Sequence, residues 1–451
     1  MEIWLDLSYS RNNVTDRKCA MPTNSTLLNR YLSSMAPYLK PLYDTPISID
    51  QGDGSYVWDV EGAEYLDFFG GVLTTMIGHN NSAVTKAIES QANKVLHTST
   101  LYLSEPMIEL AEEIAAISGI PDARVFFTAS GSEANDTALM LATNFRSSNE
   151  VLAVRNSYHG RTFATQAVTG QSTWLASRIS GLSVNYVQGP YRLLSPFEAV
   201  PDENITEMCV ADLQQIMDTA TTGEVACLIF EPIQGVGGYT VPPDGFYGSM
   251  QKILSNYGAL IISDEVQTGW GRTGEHFWGY QAHGITPDML TFAKGVGNGT
   301  ALAGVVARAE IMESINALNF STFGGNPLSA AAGLATLRYV VENNLQDNAK
   351  KMGSRLMAGL ESVAEETTWI AELRGRGLMV ALEIVDHNGD GAIPDPHKAG
   401  EVLEACKDNG ILVGKAGVFG NVIRIAPMLT VTEEEIDSGI SKILKAIQSI
   451  E

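Results

Sequence analysis

Short apolar segments alternate with amphipathic segments through the middle of this chain. The apolar segments are rich in aliphatic, β-branched and aromatic residues, and each is followed by a polar loop. The clearest are Val125-Phe126-Phe127, Val151-Leu152-Ala153-Val154, Cys227-Leu228-Ile229-Phe230, Ala259-Leu260-Ile261-Ile262 and Gly304-Val305-Val306-Ala307. Stretches with helical spacing, such as Ser249 to Tyr257, lie between them. Strands alternating with helices predict an α/β fold with a mostly parallel central sheet covered on both faces.

The pattern changes from about Ala332 onward and predicts a second domain. A long helical region is followed by an apolar stretch from Gly375 to Val380, a helix-like stretch from Pro396 to Asn409, and short strands up to Arg424. This order is typical of a smaller α+β domain. We therefore expect a large domain over residues 72–331, a small domain built from 25–71 plus 332–451, and an extension over 1–24.

Polar residues directly after the apolar segments are the candidate site residues. Ligands of such sheets bind at the carboxyl ends of the strands. The polar runs at these positions are Ser130-Gly131-Ser132, Ser157-Tyr158-His159-Gly160, Glu231-Pro232-Ile233-Gln234 and Asp264-Glu265-Val266-Gln267.

Length, composition and charge narrow the classes of partner. The chain has 451 residues, of which 45% are hydrophobic, so we expect two domains with large cores. The formal net charge is −23. An acidic surface repels phosphate backbones and anionic lipids, so nucleic acid and membranes are not expected as partners.

Cysteine usage and the N-terminal segment favour the cytoplasm. The cysteines are far apart and form no C-x-x-C pair: Cys19, Cys209, Cys227 and Cys406. This spacing predicts neither a disulfide framework nor a metal site. No apolar run reaches the ~20 residues that span a bilayer, and Met1 to Pro22 lacks the apolar core of a secretory signal.

Asp264 and Lys294 are the most informative polar pair. Asp264 follows an apolar strand, where it would cap the next helix or hold a cation such as a protonated ring nitrogen. Lys294 ends another apolar run and precedes the glycine-rich stretch Gly295 to Gly299. A lysine is most often a surface residue. Partial desolvation at a strand end, however, would lower its pKa and provide the neutral amine that Schiff-base chemistry requires.

Two other strand ends carry weaker signals. The run from Ser130 to Asn135 opens a helix, whose free N–H groups and dipole favour an anion such as phosphate. Ser130 followed by Glu133 is also an ordinary N-cap pair. Tyr158 is placed to stack on a flat cofactor, and we expect His159 to have a structural role rather than an acid–base one.

Taken together, the motifs resemble those of the class III, or ω-amino-acid, aminotransferases of pyridoxal-phosphate fold type I. The resemblance extends from Gly52 to Pro427 and covers nearly the whole chain. The matching motifs are, in order, Gly52-Asp53-Gly54 with Val57-Trp58-Asp59-Val60-Glu61-Gly62, Ser130-Gly131-Ser132-Glu133-Ala134-Asn135, Tyr158-His159-Gly160-Arg161-Thr162, Glu231-Pro232-Ile233-Gln234-Gly235, Asp264-Glu265-Val266-Gln267-Thr268-Gly269 with Gly271-Arg272-Thr273-Gly274, Ala293-Lys294-Gly295, Ser321-Thr322-Phe323-Gly324-Gly325-Asn326-Pro327, Arg376-Gly377-Leu378, and Arg424-Ile425-Ala426-Pro427.

The resemblance implies how pyridoxal 5'-phosphate would be held. Lys294 would form the Schiff base and move the proton, and Asp264 would bind the pyridinium nitrogen. Gln267 would reach the phenolic oxygen. Val266 and Tyr158 would pack against the two faces of the ring.

The remaining roles implied by the resemblance concern the phosphate and the substrate. Gly131 and Ser132 would hold the phosphate, together with Thr322 from the neighbouring subunit, because these enzymes are homodimers with shared sites. Glu231 would be a polar support. Arg424 would bind a substrate carboxylate, although a domain-closing ion pair is the ordinary interpretation of such a residue.

One position departs from the family pattern. In ornithine and 4-aminobutyrate aminotransferases the motif Glu-Pro-Ile-Gln-Gly is often followed by a glutamate that can cover the substrate arginine, whereas this chain has Val236. Valine cannot pair with Arg424, so switching between donors with and without an α-carboxylate is not expected. Arg161 is a candidate for a second substrate carboxylate.

Other stretches are similar to the mitochondrial-type alanine–glyoxylate aminotransferases, which implies pyruvate or glyoxylate as the amino acceptor. These stretches are Gly235-Val236-Gly237-Gly238, His276-Phe277-Trp278-Gly279, Asn319-Phe320-Ser321-Thr322-Phe323-Gly324-Gly325 and Leu412-Val413-Gly414-Lys415. The alternatives are a 2-oxoglutarate-dependent ω-aminotransferase, or an epimerase, aminomutase or phospholyase on the same scaffold. A cofactor-free binding protein is the alternative from another class.

Overall fold

Three β-sheets organise the part of the chain that the computed structural model describes, residues 22–177, 179–387 and 392–450. Residues 1–21 of the predicted extension, which include Cys19, lie outside these ranges. The strands are β1 (Ile49–Asp53), β2 (Tyr56–Asp59), β3 (Glu64–Asp67), β4 (Ala123–Thr128), β5 (Glu150–Val154), β6 (Ser183–Val187), β7 (Cys227–Phe230), β8 (Leu260–Asp264), β9 (Met289–Phe292), β10 (Ala303–Arg308), β11 (Ile370–Arg376), β12 (Met379–Asp386), β13 (Ile393–Pro394), β14 (Ile411–Leu412), β15 (Gly414–Ala416) and β16 (Val422–Ile425).

The helical segments lie before, between and after these strands. They are α1 (Asn24–Ser34), α2 (Gly70–Leu73), α3 (Ser82–Ala92), α4 (Glu105–Ile117), α5 (Gly131–Arg146), α6 (Phe163–Ala167), α7 (Ile205–Thr219), α8 (Phe246–Leu254), α9 (Ala309–Met312), α10 (Pro327–Glu342), α11 (Leu345–Glu366), α12 (Pro396–Asp408) and α13 (Glu433–Gln448). Within these described residues, no helix is both long and apolar enough to cross a membrane.

The central sheet has seven strands in the order β4-β10-β9-β8-β7-β5-β6. Strand β10 is antiparallel to its neighbours β4 and β9, and the other pairs are parallel. The predicted mostly parallel sheet is therefore confirmed. Because β4, β5, β7, β8 and β9 point the same way, their carboxyl ends meet at one edge.

Residues of the central strands alternate between two apolar layers. Leu228 and Ile261 pack in the larger cluster, which includes residues of α7 and α8. Ile229 and Ile262 face the opposite layer, which is formed largely by α5. This explains why β7 and β8 are continuous apolar runs, since a strand covered on both faces has no solvent side.

The two smaller sheets are built from segments that precede or follow the strands of the central sheet in the sequence. In the first, β1, β2 and β3 are antiparallel, and β14 joins β3 in parallel through Ile411 opposite Leu66. The second has the order β11-β12-β16-β15, with β13 paired to β12. The pairing of β14 with β3 joins the N-terminal and C-terminal segments, as the domain hypothesis requires. The boundaries at 72 and 331 stay predictions.

Local sequence accounts for most of the element boundaries. The five apolar segments lie in or next to β4, β5, β7, β8 and β10. The helix expected from Ser249 begins earlier, at Phe246, because Gly245 takes a left-handed conformation with φ of 78° directly before it. The C-terminal helix-like stretch is α12, which has Asp395 as its N-cap.

Candidate active site

A cavity of about 710 Å³ lies at the edge where the parallel strands end. It brings together most of the candidate residues, although they come from strands far apart in the chain. The candidates that line it are Gly131, Ser132, Tyr158, Glu231, Asp264, Val266, Gln267, Lys294 and Arg424.

Lys294 follows β9 and extends into this cavity as a half-buried side chain. Its backbone is left-handed, with φ of 51°, which is uncommon for a residue other than glycine and is typical of functional sites. Burial lowers the pKa of the Lys294 amine to about 8, against the raising effects of Asp264 and Glu231, and Arg424 lowers it further. The amine is therefore partly neutral near physiological pH.

Asp264 is a buried carboxylate fixed by three neighbours. Its Oδ2 accepts a hydrogen bond from Asn135 Nδ2 at 2.7 Å and lies 2.8 Å from His159 Nδ1, while Oδ1 accepts from the Val266 backbone at 3.1 Å. Only 4% of Asp264 is exposed. A buried carboxylate held so rigidly suits a cationic partner in the cavity.

Asn135 is a site residue whose role the sequence did not reveal. Besides Asp264, its amide donates to the His159 carbonyl at 2.8 Å, and its oxygen accepts from Thr291 Oγ1 at 2.6 Å. The sequence feature that could have indicated this role is the position of Asn135 on α5, one turn after Gly131. His159 belongs to the same network, which agrees with the structural role expected for it.

The start of α5 forms an anion-binding corner of the cavity. Ser130 is the N-cap, and its Oγ accepts from the Glu133 backbone at 3.3 Å. Gly131 and Ser132 are the first residues of the helix, so their backbone N–H groups have no partner within the helix. Such a terminus stabilises a phosphate through its N–H groups and its dipole.

The two sides of the cavity suit a flat ring. Val266 and Gln267 follow Asp264, and Gln267 Oε1 is buried without a hydrogen-bond partner. A Cβ on Gly235 would lie 2.2 Å from Gln267 Nε2, so the Gln267 amide occupies the space that a side chain at position 235 would take. The Tyr158 ring, on another wall, contacts Trp174 edge-on at 5.3 Å between centroids.

Glu231 connects two of the loops that form the cavity. Its Oε1 accepts from the Tyr158 backbone at 2.9 Å, and its Oε2 accepts from the Gly235 backbone at 2.9 Å. Burial raises the pKa of the Glu231 carboxyl, His159 lowers it, and Asp264 raises it. These contacts make Glu231 a link between the Tyr158 wall and the loop beside Arg424.

Arg424 lies on β16 as a buried guanidinium held by aromatic rings. Its Cζ is 5.3 Å from the Phe69 ring centroid and 5.4 Å from that of Tyr239. One N–H donates to the Gly235 carbonyl at 3.3 Å, and Nε has no partner. Among the described residues no carboxylate pairs with it, and the neighbouring Val236 side chain is apolar. No motif in the sequence indicated that these two rings would contact Arg424.

Arg161 and Thr322 lie outside this set. Arg161 is exposed, and only its backbone contacts the phosphate corner, by donating to Ser132 Oγ at 3.1 Å. Thr322 lines a separate cavity of about 740 Å³ together with Phe320 and Phe323. Within this chain, therefore, neither side chain joins the cavity around Lys294.

Comparison with known proteins decides the family. The family model described as aminotransferase class-III matches residues 38–447. The chain belongs to the class III aminotransferases. A protein of Arabidopsis thaliana named mitochondrial alanine–glyoxylate aminotransferase 2 homolog 2 is 37% identical over 421 residues, which cover 92% of this chain and 86% of that protein.

Further relatives agree. Human mitochondrial alanine–glyoxylate aminotransferase 2 is 32% identical, over 99% of this chain and 94% of its own. A crystal structure of a thermostable (S)-enantioselective omega-transaminase from Thermomicrobium roseum matches with a TM-score of 0.86 and 30% identity, over 96% of this chain and 100% of that one. The predicted family, its likeness to the alanine–glyoxylate enzymes and the fold type I architecture are confirmed.

This aminotransferase uses pyridoxal phosphate, as the family implies. The cavity fits that cofactor: a helix terminus is present for the phosphate, a buried acid for the ring nitrogen, and an amide oxygen without a partner for a polar ring substituent. A lysine with a lowered pKa completes the set. A cofactor-free binding protein is therefore set aside.

Proposed function

We propose that this aminotransferase moves the amino group of a carboxylate-bearing amino acid to a short oxo acid such as pyruvate or glyoxylate. The observation that carries the proposal is Arg424, a buried guanidinium at the cavity with no carboxylate partner among the described residues. A guanidinium fork binds a carboxylate through two parallel hydrogen bonds. The names of the alanine–glyoxylate relatives support the choice of acceptor.

Lys294 and Asp264 are proposed to carry the chemistry. When bound, the cofactor supplies an aldehyde and an electron-poor ring that takes up the electrons left when a proton leaves carbon. Nζ of Lys294 takes that proton as a base and returns it as an acid. The Asp264 carboxylate would hold a proton on the ring nitrogen, which would keep the ring electron-poor. The donor loses its amino group and one hydrogen and leaves as an oxo acid with an oxygen from water, while the acceptor gains the amino group and one hydrogen and loses its oxo oxygen as water.

The other cavity residues are proposed to hold and orient the cofactor. Gly131 and Ser132 bind the phosphate at the start of α5. Val266 and Tyr158 would cover the two ring faces, and the unpaired amide of Gln267 would bind the phenolic oxygen. Each assignment is supported by the position of the residue in the cavity.

Glu231 and Arg161 are proposed to assist on the substrate side. Glu231 supports the walls through its two backbone contacts. Arg161 is a candidate for a second substrate carboxylate, and its exposure beside the phosphate corner leaves its side chain available.

A homodimer with shared sites is the proposed assembly. Large apolar side chains are exposed in the segments around Leu103 and Leu318, including Phe320 and Phe323 beside Thr322. Exposed apolar patches of this kind mark protein interfaces. Pairing two copies would bury them and bring Thr322 to the phosphate of the neighbouring site.

The cytoplasm remains the proposed compartment. Cys209, Cys227 and Cys406 are free and buried, as expected for reducing surroundings, but three relatives are named as mitochondrial. Fluorescence of a tagged full-length chain in its own cells tests this, and signal confined to an organelle would refute it.

A substrate panel tests the proposed reaction. Alanine, β-alanine, 3-aminoisobutyrate, 4-aminobutyrate and ornithine are offered as donors against pyruvate, glyoxylate and 2-oxoglutarate. We expect kcat/KM to be about tenfold higher or more with a short acceptor, a difference of about 1.4 kcal/mol in transition-state stabilisation. Lys294→Ala is the inactive control. Activity with 2-oxoglutarate alone would establish the ω-aminotransferase alternative.

The same assay separates transamination from the other reactions of this scaffold, since some relatives are named as racemases. An aminotransferase requires an oxo-acid acceptor for net turnover and releases a new oxo acid. An epimerase would convert L-alanine to the racemate without any acceptor, and the solution would lose its optical rotation. Aminomutase and phospholyase activities would give a rearranged amino acid or free phosphate.

A further inference from the structure

The segment from Gln234 to Thr240 forms one wall of the proposed carboxylate site and is buried along its length. An isolated bridge between Gln234 and Thr240 closes it into a loop. We call it the 234–240 loop. Its Gly235 carbonyl and Tyr239 ring both contact the Arg424 guanidinium. The position of Arg424 therefore depends on the position of this loop.

Arg374, on β11, holds the other end of the same loop. Its Nε and one terminal N–H both donate to the Gly238 carbonyl, at 2.9 and 2.7 Å. Its remaining terminal nitrogen contacts the carboxylates of Glu383 and, at 2.7 Å, Glu372. The Arg374 and Glu383 side chains are only 8% and 3% exposed, so this is a buried ion pair rather than a screened surface contact.

Other groups fix Glu383 in turn. Its Oε1 accepts from the Tyr191 hydroxyl at 2.6 Å and from Asn421 Nδ2 at 3.2 Å. Tyr191 belongs to the segment after β6, and Asn421 precedes β16, which carries Arg424. The network therefore ties the 234–240 loop to both the central sheet and the sheet of Arg424.

The 234–240 loop is closely packed at Gly238. Gly238 has φ of 97°, and a Cβ there would lie 2.9 Å from Val422 Cγ2 and 3.1 Å from the Arg374 guanidinium. Val422 is two residues before Arg424 on the same strand. Gly238 is thus packed between the Arg374 side chain and the strand that carries Arg424.

We propose that Arg374 is a positioning residue for substrate carboxylate recognition. Through Gly238 it sets the 234–240 loop, and the loop holds Arg424 in the cavity by its Gly235 carbonyl and its Tyr239 ring. The inference rests on the proposed carboxylate role of Arg424. An arginine is required because its planar fork donates twice to one carbonyl while a third nitrogen meets a carboxylate, which an ammonium cannot reproduce.

The test is equilibrium binding of propionate, an unreactive carboxylate, to the cofactor-loaded enzyme by calorimetry. We expect Arg374→Lys to raise the Kd of propionate and the KM of the oxo acid by about tenfold, because small misplacement of a positioning group weakens the contact it serves. The kcat at saturation and the cofactor absorbance should stay unchanged. Arg376→Lys is the matched control, since Arg376 lies two residues further along β11 in a partly exposed ion pair with Asp244.

The remaining variants make the test decisive. Tyr191→Phe removes one hydrogen bond to Glu383 while keeping the ion pair, and it should raise the Kd by about two- to threefold. If Arg374→Lys does not fold, the Kd of propionate for Tyr191→Phe decides the test. An unchanged Kd of propionate in either variant overturns the proposal. A variant that loses its bound cofactor as well as its affinity for propionate also overturns it. If Arg424→Lys also binds propionate normally, the proposed function itself fails.

Discussion

Lys294 shows how a single residue acquires reactivity from its surroundings. The cavity wall lowers the pKa of its amine to about 8, while Asp264 and Glu231 partly oppose this effect. Burial destabilises the ammonium form, and the nearby carboxylates stabilise it. Near neutral pH, part of the Lys294 amine is therefore neutral and can act as a nucleophile, and the rest stays protonated and can act as an acid.

This balance predicts the pH dependence of Lys294 modification in the apoprotein. At a pKa of about 8, about a tenth of the amine is neutral at pH 7 and about half at pH 8. Trace labelling with acetic anhydride, followed by peptide mass spectrometry, should give a midpoint near pH 8 for the Lys294 peptide. The urea-denatured chain is the control and should titrate near pH 10.4.

Asp264→Asn should move that midpoint further down, because the Asp264 carboxylate raises the pKa of Lys294. A midpoint that stays in place, or rises, would contradict the assigned electrostatics.

Val236→Glu should create the acidic partner that Arg424 lacks. A buried pair of this kind would compete with the substrate carboxylate, so we expect the KM of pyruvate to rise about tenfold or more. Val236→Gln is the matched neutral control and should raise it less. Steady-state kinetics measures both, and equal effects would show that size rather than charge matters at this position.

At the scale of elements, the turn α2 is strained and contributes to the cavity. Gly70, Gly71, Val72 and Leu73 all have positive φ, from 56° to 66°, so the turn is left-handed. Leu73 is anchored in a small apolar cluster, and Val72 lines the cavity. Left-handed backbone costs about 1–2 kcal/mol for a residue with a Cβ, so strain here is compensated by packing around the site.

Gly71→Ala should destabilise the protein without any steric clash. The Cβ would meet open space, so the expected loss of about 1 kcal/mol comes from the left-handed backbone alone. Gly181→Ala is the control, since its Cβ also meets open space and its φ is not positive. It should be neutral or slightly stabilising. Urea unfolding of the two apoproteins measures the difference, and equal midpoints would contradict the assigned turn.

At the scale of the whole molecule, the site in one chain is incomplete under the shared-site hypothesis. Thr322 lies on a separate surface cavity, among exposed apolar side chains. Only a second copy would bring it to a phosphate, because the chain places it away from its own Lys294. Assembly and catalysis would then be linked.

Mixing two inactive variants tests this link. Lys294→Ala lacks the amine, and under the shared-site hypothesis Thr322→Asp would place a negative charge against the partner's phosphate. After subunit exchange, half of the dimers are mixed and each contains one intact site, so about a quarter of wild-type activity should return. Mixtures that stay inactive, although sedimentation shows exchange, would argue against the shared site.

Much of the fold and the centre of the site could be predicted from the sequence. Apolar runs such as those ending at Phe230 and Ile262 identify buried strands, and in a parallel sheet the residues that follow them meet at one edge. For this reason Asp264, Lys294, Tyr158 and the start of α5 could be placed together before any contact was known. Strand β6 was missed because its half-buried residues give no continuous apolar run.

The strand–loop–helix units and the residue types at their ends could be read from the chain alone, because these depend on periodicity and chain direction. The surroundings of these residues became known only from the packed structure. It placed Asn135 on Asp264, the rings of Phe69 and Tyr239 on Arg424, and Arg374 on the Gly238 carbonyl. These contacts join segments far apart in the chain, and no local pattern encodes which distant side chains will meet when the sheets pack.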